Sequence, residues 1–565
     1  MTIPRQAIAM LVALAIAAPG LAQTVKWKAV EGAEPPPLRY HGLLPGQDDL
    51  AAVKATLGEP ARATRWYNYK MYYPAEGRPG MWDVVHMLGN LSTGGLGSIE
   101  AATIPEGYAT EAEIRAKLGD PEYHLRMNTW QLLDYSERGL RFSTDAAGNT
   151  TGVNYVPHGH RRVPPGERDF VDLRWAKPPA GPGAQLEGLQ AGAAEVVITP
   201  TGPDWLGPVK YTVHDDLKSR ILVFSRGDQA VALVGSDVFG MGHPDVQVIR
   251  DGARALGIDH TIFGMSHNHA AGDTTGVYGF YPAEYIAHIQ QRTIDGIREA
   301  WENRRPVGKL LSAARELPMD GGRVMGLIRN ARNPGVMDPT IATVQALDTD
   351  GAPIATLVHF ACHVESLEAP GMIGADFPGY LCEQMKADGL GQPVFLNGAL
   401  GGMISGDNPE RTQESSREMG LKLAEIVKDL VHEGIPPAEF TFHAEARRLE
   451  LPLTNPAFRA LMDSGPRTLH DGRVVTDMIY VQVGTAQFIT LPGELLPEVS
   501  FEILEKMDGY PRMLVGLGND QLGYMIPPYD FRDDYYEETM SVGPATAHQV
   551  RDMARRMLAD HATAR

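Results

Sequence analysis

Between residues 194 and 301, apolar strand-like runs alternate with stretches of helical spacing, and this alternation limits the folds open to the chain. Residues 194–198, 220–224 and 231–237 read as strands, because Val, Ile, Leu and Phe dominate them. A helical stretch over 244–255 leads into the apolar run 261–265, and 282–301 is again helical in period. Elements in this order predict an α/β (α+β) domain built in layers, since each apolar face must be covered by another element. The order of the strands stays open.

The run 261–265 ends in Ser266, His267, Asn268 and His269. If the strand continues, period-two geometry points His267 and His269 to one side. Neutral imidazole is the commonest protein ligand for a metal such as zinc, and the small Ala270, Ala271 and Gly272 leave room beside it. The pair by itself is a weak signal, and two hydrogen-bonded histidines at a loop mouth are the commoner reading of it. A second apolar run, 355–361, leads to His363, with His359 four residues earlier on the same face. Strand ends are where side chains leave a sheet into a cleft, so His363 is a candidate third imidazole. Glu494 follows the apolar run 486–491 through a Pro492-Gly493 turn, and a carboxylate on such a corner is a good zinc ligand.

With the loop 516–529 added, the order of elements over residues 188–558 resembles the neutral (non-lysosomal) ceramidases and their bacterial relatives. The family's Thr-His-Thr-His-Ser element is similar to Ser266-His267-Asn268-His269-Ala270, which implies His267 as a zinc ligand and His269 beside the activated water or the substrate. Its His-Gly-Thr element resembles His363-Val364-Glu365 and implies His363 as the second ligand; its Pro-Gly-Glu element is Pro492-Gly493-Glu494 and implies Glu494. An Asn and a Tyr of the family match Asn519 and Tyr524, making Tyr524 the fourth protein contact. The Ser-Asp-Asn-x-Gly-Tyr element is similar to residues 375–380, which implies that Asp376 orients a histidine; a plain turn aspartate is the alternative. Arg329 or Arg332 matches the family's arginine. The resemblance thus implies Zn2+ as cofactor and hydrolysis of an N-acylsphingosine to fatty acid and sphingoid base, with His269, Tyr524, Asp376 and Arg329 as the catalytic set.

The departures bear on the substrate. Where the family carries Gly-Asp-Val-Ser, this chain has Gly402 at the aspartate and Ile404 at the serine, with Ser405 displaced by one residue, so Ser405 is given no catalytic role. The immunoglobulin-like domain that closes many ceramidases is expected to be missing, the last element being an amphipathic helix with Val550, Met553, Ala554, Met557 and Leu558 on one face. Two alternatives therefore stand beside a ceramidase: a zinc hydrolase of another lipid-like amide or ester, and a non-catalytic envelope binding protein.

Residues 23–176 carry an internal repeat. Each copy has a short helix, with Leu50, Val53 and Leu57 in the first and Ile114 and Leu118 in the second, stopped by Gly58 and Gly119 with a proline two residues later. Thr110 and Glu113 read as a capping box. Aromatic strand-like runs follow at 67–73 and 130–135, then a hairpin around the turn 145–149. The pattern resembles small helix-plus-meander modules found in tandem in bacterial envelope proteins, and predicts a small α+β domain that docks or stabilises. Residues 177–188, rich in Pro and Gly, read as a linker to a hydrolase domain over 189–565.

A chain of 565 residues predicts two or three domains, and a net charge of −19 argues against a nucleic-acid partner. Residues 1–22 have the layout of a cleavable secretory signal, with Arg5, an apolar segment, then Pro19 and small residues, so the protein is expected in the periplasm or secreted. No run is apolar for the roughly 20 residues a membrane span needs, so contact with a lipid surface is expected to be peripheral. Cys362 and Cys382 fit one disulfide or two buried thiols equally well.

Overall fold

The computed structural model describes residues 36–563 apart from 66–68, 88–94, 160–169, 203, 208–209, 278–279, 368–370, 409, 457, 460–466, 468 and 533–535. The predicted leader 1–22 and the start of the aromatic run, 67–68, lie outside the described residues.

The strands of the 189–397 region form one eight-stranded sheet. Its spatial order is His260–Met265, Gln229–Ser236, Lys218–Arg226, Leu189–Val197, Arg305–Glu316, Thr340–Asp348, Pro353–Phe360 and Gln392–Asn397. The terminal pairs are parallel and the inner ones antiparallel. The sheet curls until its last strand lies against its first ones. A Cβ on Gly235 would sit 2.1 Å from the Phe395 carbonyl oxygen, and one on Gly264 would sit 2.7 Å from Leu396, so two glycines permit the approach.

Alternate side chains then serve different layers. Leu222, Leu233, Leu357 and Leu396 point inward against Ile479, Val481, Phe488 and Met513. The latter belong to a four-stranded sheet of Phe442–Pro452, Arg473–Val483, Ala486–Thr490 and Arg512–Val515. On the outside of the first half, helices His243–Arg254 and Ala283–Glu302 bury Val246, Ile249, Tyr285 and Ile289. On the outside of the other half, Val358, Phe360 and Phe395 meet Phe377, Leu381, Leu423 and Val427 of helices Asp376–Ala387 and Gln413–His432. The helix Thr546–Thr563 covers the four-stranded sheet with Val550, Ala554 and Met557. The result is a mixed α/β fold in helix and sheet layers, as expected, but with far more antiparallel pairing than strict strand–helix alternation requires.

Residues 50–172 build a separate nine-stranded sheet. Its order is Arg62–Arg65, Tyr69–Pro74, Trp82–Met87, Leu96–Ala101, Thr150–Tyr155, Leu140–Asp145, Trp130–Tyr135, Tyr123–Arg126 and Phe170–Asp172. Helix Leu50–Leu57 is capped by Asp49 and helix Glu111–Leu118 by Thr110. Glu113 reaches the Ala109 amide at 2.7 Å, one residue before the position that a capping box requires. Val53, Ile114 and Leu118 cover one face, over Met71, Val85, Leu133 and Phe142. The opposite face is buried as well: Leu125, Trp130 and Leu132 share a core with Leu317, Met319, Val336 and Met337. A buried carboxylate fastens the two together, since Glu316 accepts from the Asn128 amide at 2.7 Å and the Thr129 amide at 2.6 Å.

Residues 177–188 are irregular but tied down, with the Ala184 amide bonded to the Pro437 carbonyl at 2.7 Å. Cys362 and Cys382 are free, buried thiols, each held among apolar neighbours.

The sheet-to-body contact can be tested at Gly152, where a Cβ would lie 2.4 Å from the Cα of Gly321. Backbone meets backbone there, so Gly152→Ala is expected to cost about 1–3 kcal/mol, read as a lowered midpoint in urea unfolding.

Candidate metal centre

The curl of the sheet delivers two strand ends to one place. Asn397, at the end of the last strand, donates its side-chain amide to the Ser266 carbonyl at 2.8 Å and the Cys362 carbonyl at 2.7 Å. Its Oδ1 accepts from the Cys362 amide at 3.0 Å. The two loops beyond are laced further by a parallel bridge between Asn268 and Val364, with the His269 amide bonded to the Val364 carbonyl at 2.9 Å.

The strand before His267 stops at Met265, and His267 itself takes a left-handed φ of 62°. Period-two alternation therefore does not place His267 and His269 side by side. The turn does so instead, leaving their rings 4.9 Å apart and nearly perpendicular, with Phe239 stacked on His267 at 4.8 Å. A non-glycine residue in this backbone region costs free energy that the surrounding packing must hold.

His267, His363 and Glu494 are all buried, with one potential ligand atom each inside a 4.8 Å cluster. Glu494 Oε2 lies 3.0 Å from His363 Nε2, and Oε1 lies 3.6 Å from His267 Nε2. Each histidine is held by its other nitrogen: Nδ1 of His267 faces the Phe239 carbonyl at 2.9 Å, and Nδ1 of His363 the Ile404 carbonyl at 3.0 Å. That fixes Nδ1 as the protonated nitrogen and presents both Nε2 lone pairs to the same point, which is how a metal-binding histidine is oriented. Gln521 donates to Glu494 Oε1 at 3.0 Å. Two imidazoles and one carboxylate, buried and pre-aimed, fit a zinc-like divalent ion.

The electrostatics follow from burial and proximity. Burial lowers His267, and burial followed by the neighbouring His267 pushes His269 down to about 3, so both favour the neutral ring. At Glu494 burial opposes ionisation, but His267, His363 and Gln521 outweigh it and hold the carboxyl at about 2. His269 Nε2 is buried with no hydrogen-bond partner among the described residues.

Tyr524 joins the cluster, its hydroxyl 3.3 Å from His363 Nε2 and 3.1 Å from Met403 Sδ, and burial raises it well above its ordinary value. The remaining predicted residues sit elsewhere. Among the described residues Asp376 bonds no site histidine: its carboxylate accepts from the Leu367 amide at 3.0 Å and its own neighbour Phe377 at 2.6 Å. It fastens the loop after His363 to a helix start, and the tautomer-fixing role expected of it falls to the two carbonyls. Arg329 points away from the cleft into the N-terminal sheet, with Nη2 3.2 Å from His86 Nδ1 and 3.9 Å from Glu100. Its place on the strand Ile328–Asn330, paired with Ile404–Gly406, turns its side chain to the far side. Arg332 is buried among Asp530, Glu537 and Glu538.

Asn519 receives the Phe263 amide at 2.7 Å and so pins the strand leading to His267. His359 bonds the Leu514 carbonyl at 2.9 Å between the two sheets. Ser405 donates to the Met403 carbonyl at 3.2 Å. Phe239, Gln521 and the Ile404 carbonyl are contributors that sequence reasoning missed. Gln521 had a signal, as a polar amide between Asn519 and Tyr524, whereas a carbonyl has none.

The cluster lies in a cleft of about 900 Å³ of empty space, part of it open to solvent, walled by Phe239, Val277, Tyr281, Phe458, Tyr536 and Met540. Arg467, Asp245 and Thr275 add polar atoms to its lining.

No protein-family model matches the chain, and no curated protein matches it by sequence. Solved structures do. A neutral ceramidase from Pseudomonas aeruginosa matches at 15% identity over 66% of this chain and 75% of that one, with a TM-score of 0.53. A ceramidase complexed with C2 matches at 14% identity with the same coverage and a TM-score of 0.54. The chain has a neutral-ceramidase-like fold.

Replacing one ligand tests the centre directly. After zinc loading and desalting, the His363→Ala protein is expected to lose the metal that the unaltered chain retains, read by atomic emission.

Proposed function

We propose that this chain is a zinc-dependent hydrolase that cleaves an N-acyl amide, in the manner of a ceramidase releasing fatty acid and sphingoid base. The observation that carries the reading is the buried His267, His363 and Glu494 cluster beside a buried His269 nitrogen that has no partner among the described residues, in a cleft walled by aromatic and aliphatic side chains.

Zinc, when bound, polarises an acyl carbonyl and makes water nucleophilic near neutral pH. The chain supplies the rest. The Phe239 and Ile404 carbonyls hold the two imidazoles with Nε2 inward, and Gln521 steers Glu494. The Tyr524 hydroxyl, protonated because burial raises its pKa, donates to the carbonyl oxygen as charge builds there. His269 Nε2 takes the proton released by the attacking water and gives it to the leaving nitrogen, which needs the neutral ring that burial favours. Phe458, Tyr536 and Met540 offer an acyl chain an apolar wall.

One observation favours a second reading, a lipid-like amide or ester other than ceramide: Gly402 and Ile404 stand where the family's aspartate and serine are expected. A purely binding role leaves the oriented ligand cluster without a use. Among the described residues no helix is long and apolar enough to cross a membrane, and the leader-like start supports an exported enzyme that meets lipid at a surface.

The test is fatty-acid release from an N-acylsphingosine, with release stopped by a chelator and restored by zinc. Zinc-loaded protein that releases none, but hydrolyses another amide or ester, selects the second reading. His269→Ala is expected to keep its metal and lose about 100-fold or more in kcat. Unchanged turnover would remove His269 from the proton path. Ser405→Ala, by contrast, is expected to stay within about threefold of the parent rate, since the hydroxyl is spent on the Met403 carbonyl and has no part in the proton path.

A further inference from the structure

The face of the nine-stranded sheet that meets the body of the protein carries a row of ionisable side chains. Lys70 stands directly opposite His86 on the neighbouring strand, and Val84, two residues from His86, stands opposite Glu100, so Lys70, His86 and Glu100 share that face. From the body come Arg329, on the strand Ile328–Asn330, and Arg411, in the segment that leads to the helix Gln413–His432. Arg329 Nη2 lies 3.2 Å from His86 Nδ1, and His86 Nε2 lies 2.8 Å from Glu100 Oε1. Cross-strand neighbours stand about 5 Å apart at Cβ, so Lys70 and Arg329 come together beside one imidazole.

The carboxylates nearby are already engaged. Arg411 holds Glu365 at 2.7 Å, and Arg323 lies 3.7 Å from Glu100 and 3.6 Å from Asp407. Asp83 alternates to the opposite face of its strand, where it accepts from Tyr40 at 2.7 Å and the Thr103 amide at 2.9 Å. Lys70 makes no hydrogen bond or ion pair among the described residues. Arg329, 1% exposed, keeps Nε and Nη1 buried without a hydrogen-bond partner among them. Burial first, then Arg329 and Arg411, push the Lys70 ammonium well below its ordinary value, the response of a cation set among cations. A charge taken out of water needs a counter-charge or hydrogen bonds, and these two cations have donors to spare.

We propose that Lys70 and Arg329, with Arg411 beside them, form a second binding site, which takes a small oxyanion, a carboxylate or a phosphate, between the N-terminal sheet and the body. An oxyanion carries several acceptor oxygens, so one ligand accepts from the Lys70 ammonium and from the spare Arg329 donors at once. Lys70 is partly exposed, which gives the ligand a way in. The strand that carries Arg329 pairs with Ile404–Gly406, whose Ile404 carbonyl orients His363, so the bound anion fastens the sheet to the back of the candidate metal centre. None of the three cations lines the cleft, and the site is independent of what the cleft hydrolyses.

The test is calorimetric titration of the zinc-loaded full chain with inorganic phosphate and, separately, with acetate, at an ionic strength held constant with a chloride salt. Saturable binding of at least one of them is expected, and which of the two binds more tightly assigns the class. Lys70→Gln is expected to weaken that binding about tenfold, the scale of one hydrogen bond to a charged group, while Lys70→Arg, which keeps the charge, stays within about threefold. An anion held by the candidate metal does not depend on Lys70, so an affinity unchanged in Lys70→Gln would overturn the site. So would a parent protein that binds neither anion, which would leave the Lys70 charge to Glu365. Arg411→Gln is expected to weaken binding about threefold through the lost charge, and it carries the test if Lys70→Gln does not fold. The bound anion is also expected to raise the thermal unfolding midpoint of the parent and to leave that of Lys70→Gln nearly unmoved.

Discussion

The buried amide of Asn397 is the contact on which the site depends. It ends one strand and bonds the carbonyls of Ser266 and Cys362, which end or follow two others. With all of its bonds made inside the protein, it gains what a charged pair at this depth does not: little desolvation cost is left uncompensated. Leaving even one such group unpaired costs about 1–3 kcal/mol, so the geometry is strongly specified. The curl that lets Asn397 reach Ser266 needs two close backbone approaches, and Gly235 and Gly264 provide them. The geometry of the candidate metal cluster is thus inherited from sheet curvature.

Beyond the ligands, the supporting contacts run outward in layers. The Ile404 carbonyl that orients His363 belongs to a short strand paired with Ile328–Asn330. From that strand Arg329 reaches His86 and Glu100 of the nine-stranded sheet, with Arg323 beside them. A second buried group ties Arg332 to Asp530, Glu537 and Glu538, next to the segment whose Met540 carbonyl holds the Tyr524 amide at 2.9 Å. Replacing one member of such a group strands a buried charge, so its cost exceeds the worth of the pair itself. The N-terminal sheet therefore packs directly behind the wall of the site, and its two faces are both core.

Much of this was legible in the chain. Period-two runs marked the strands beside His267, His363 and Glu494, and strand ends are where chemistry gathers in layered α/β folds. The three candidate ligands meet within 4.8 Å although 96 and 131 residues separate them in turn. Asp376 and Arg329 came from motif position alone, without a face or a partner to check them against. One is spent at a helix start and the other turned to the neighbouring sheet. Asn519 shows the same limit: matched to a family asparagine, it pins the strand leading to His267, as His359 ties its strand to the neighbouring sheet.

By itself, the sequence determined residue types and local form: apolar alternation that makes strands, glycines that stop two short helices, imidazoles and a carboxylate at strand ends, and thiols set within apolar runs. These depend on neighbours a few positions away, where propensity and periodicity act. The tertiary structure alone decided the curl of the sheet, which carbonyl holds which histidine, and the free state of both cysteines. Those follow from long-range packing and from backbone groups, which carry no side-chain signature to read.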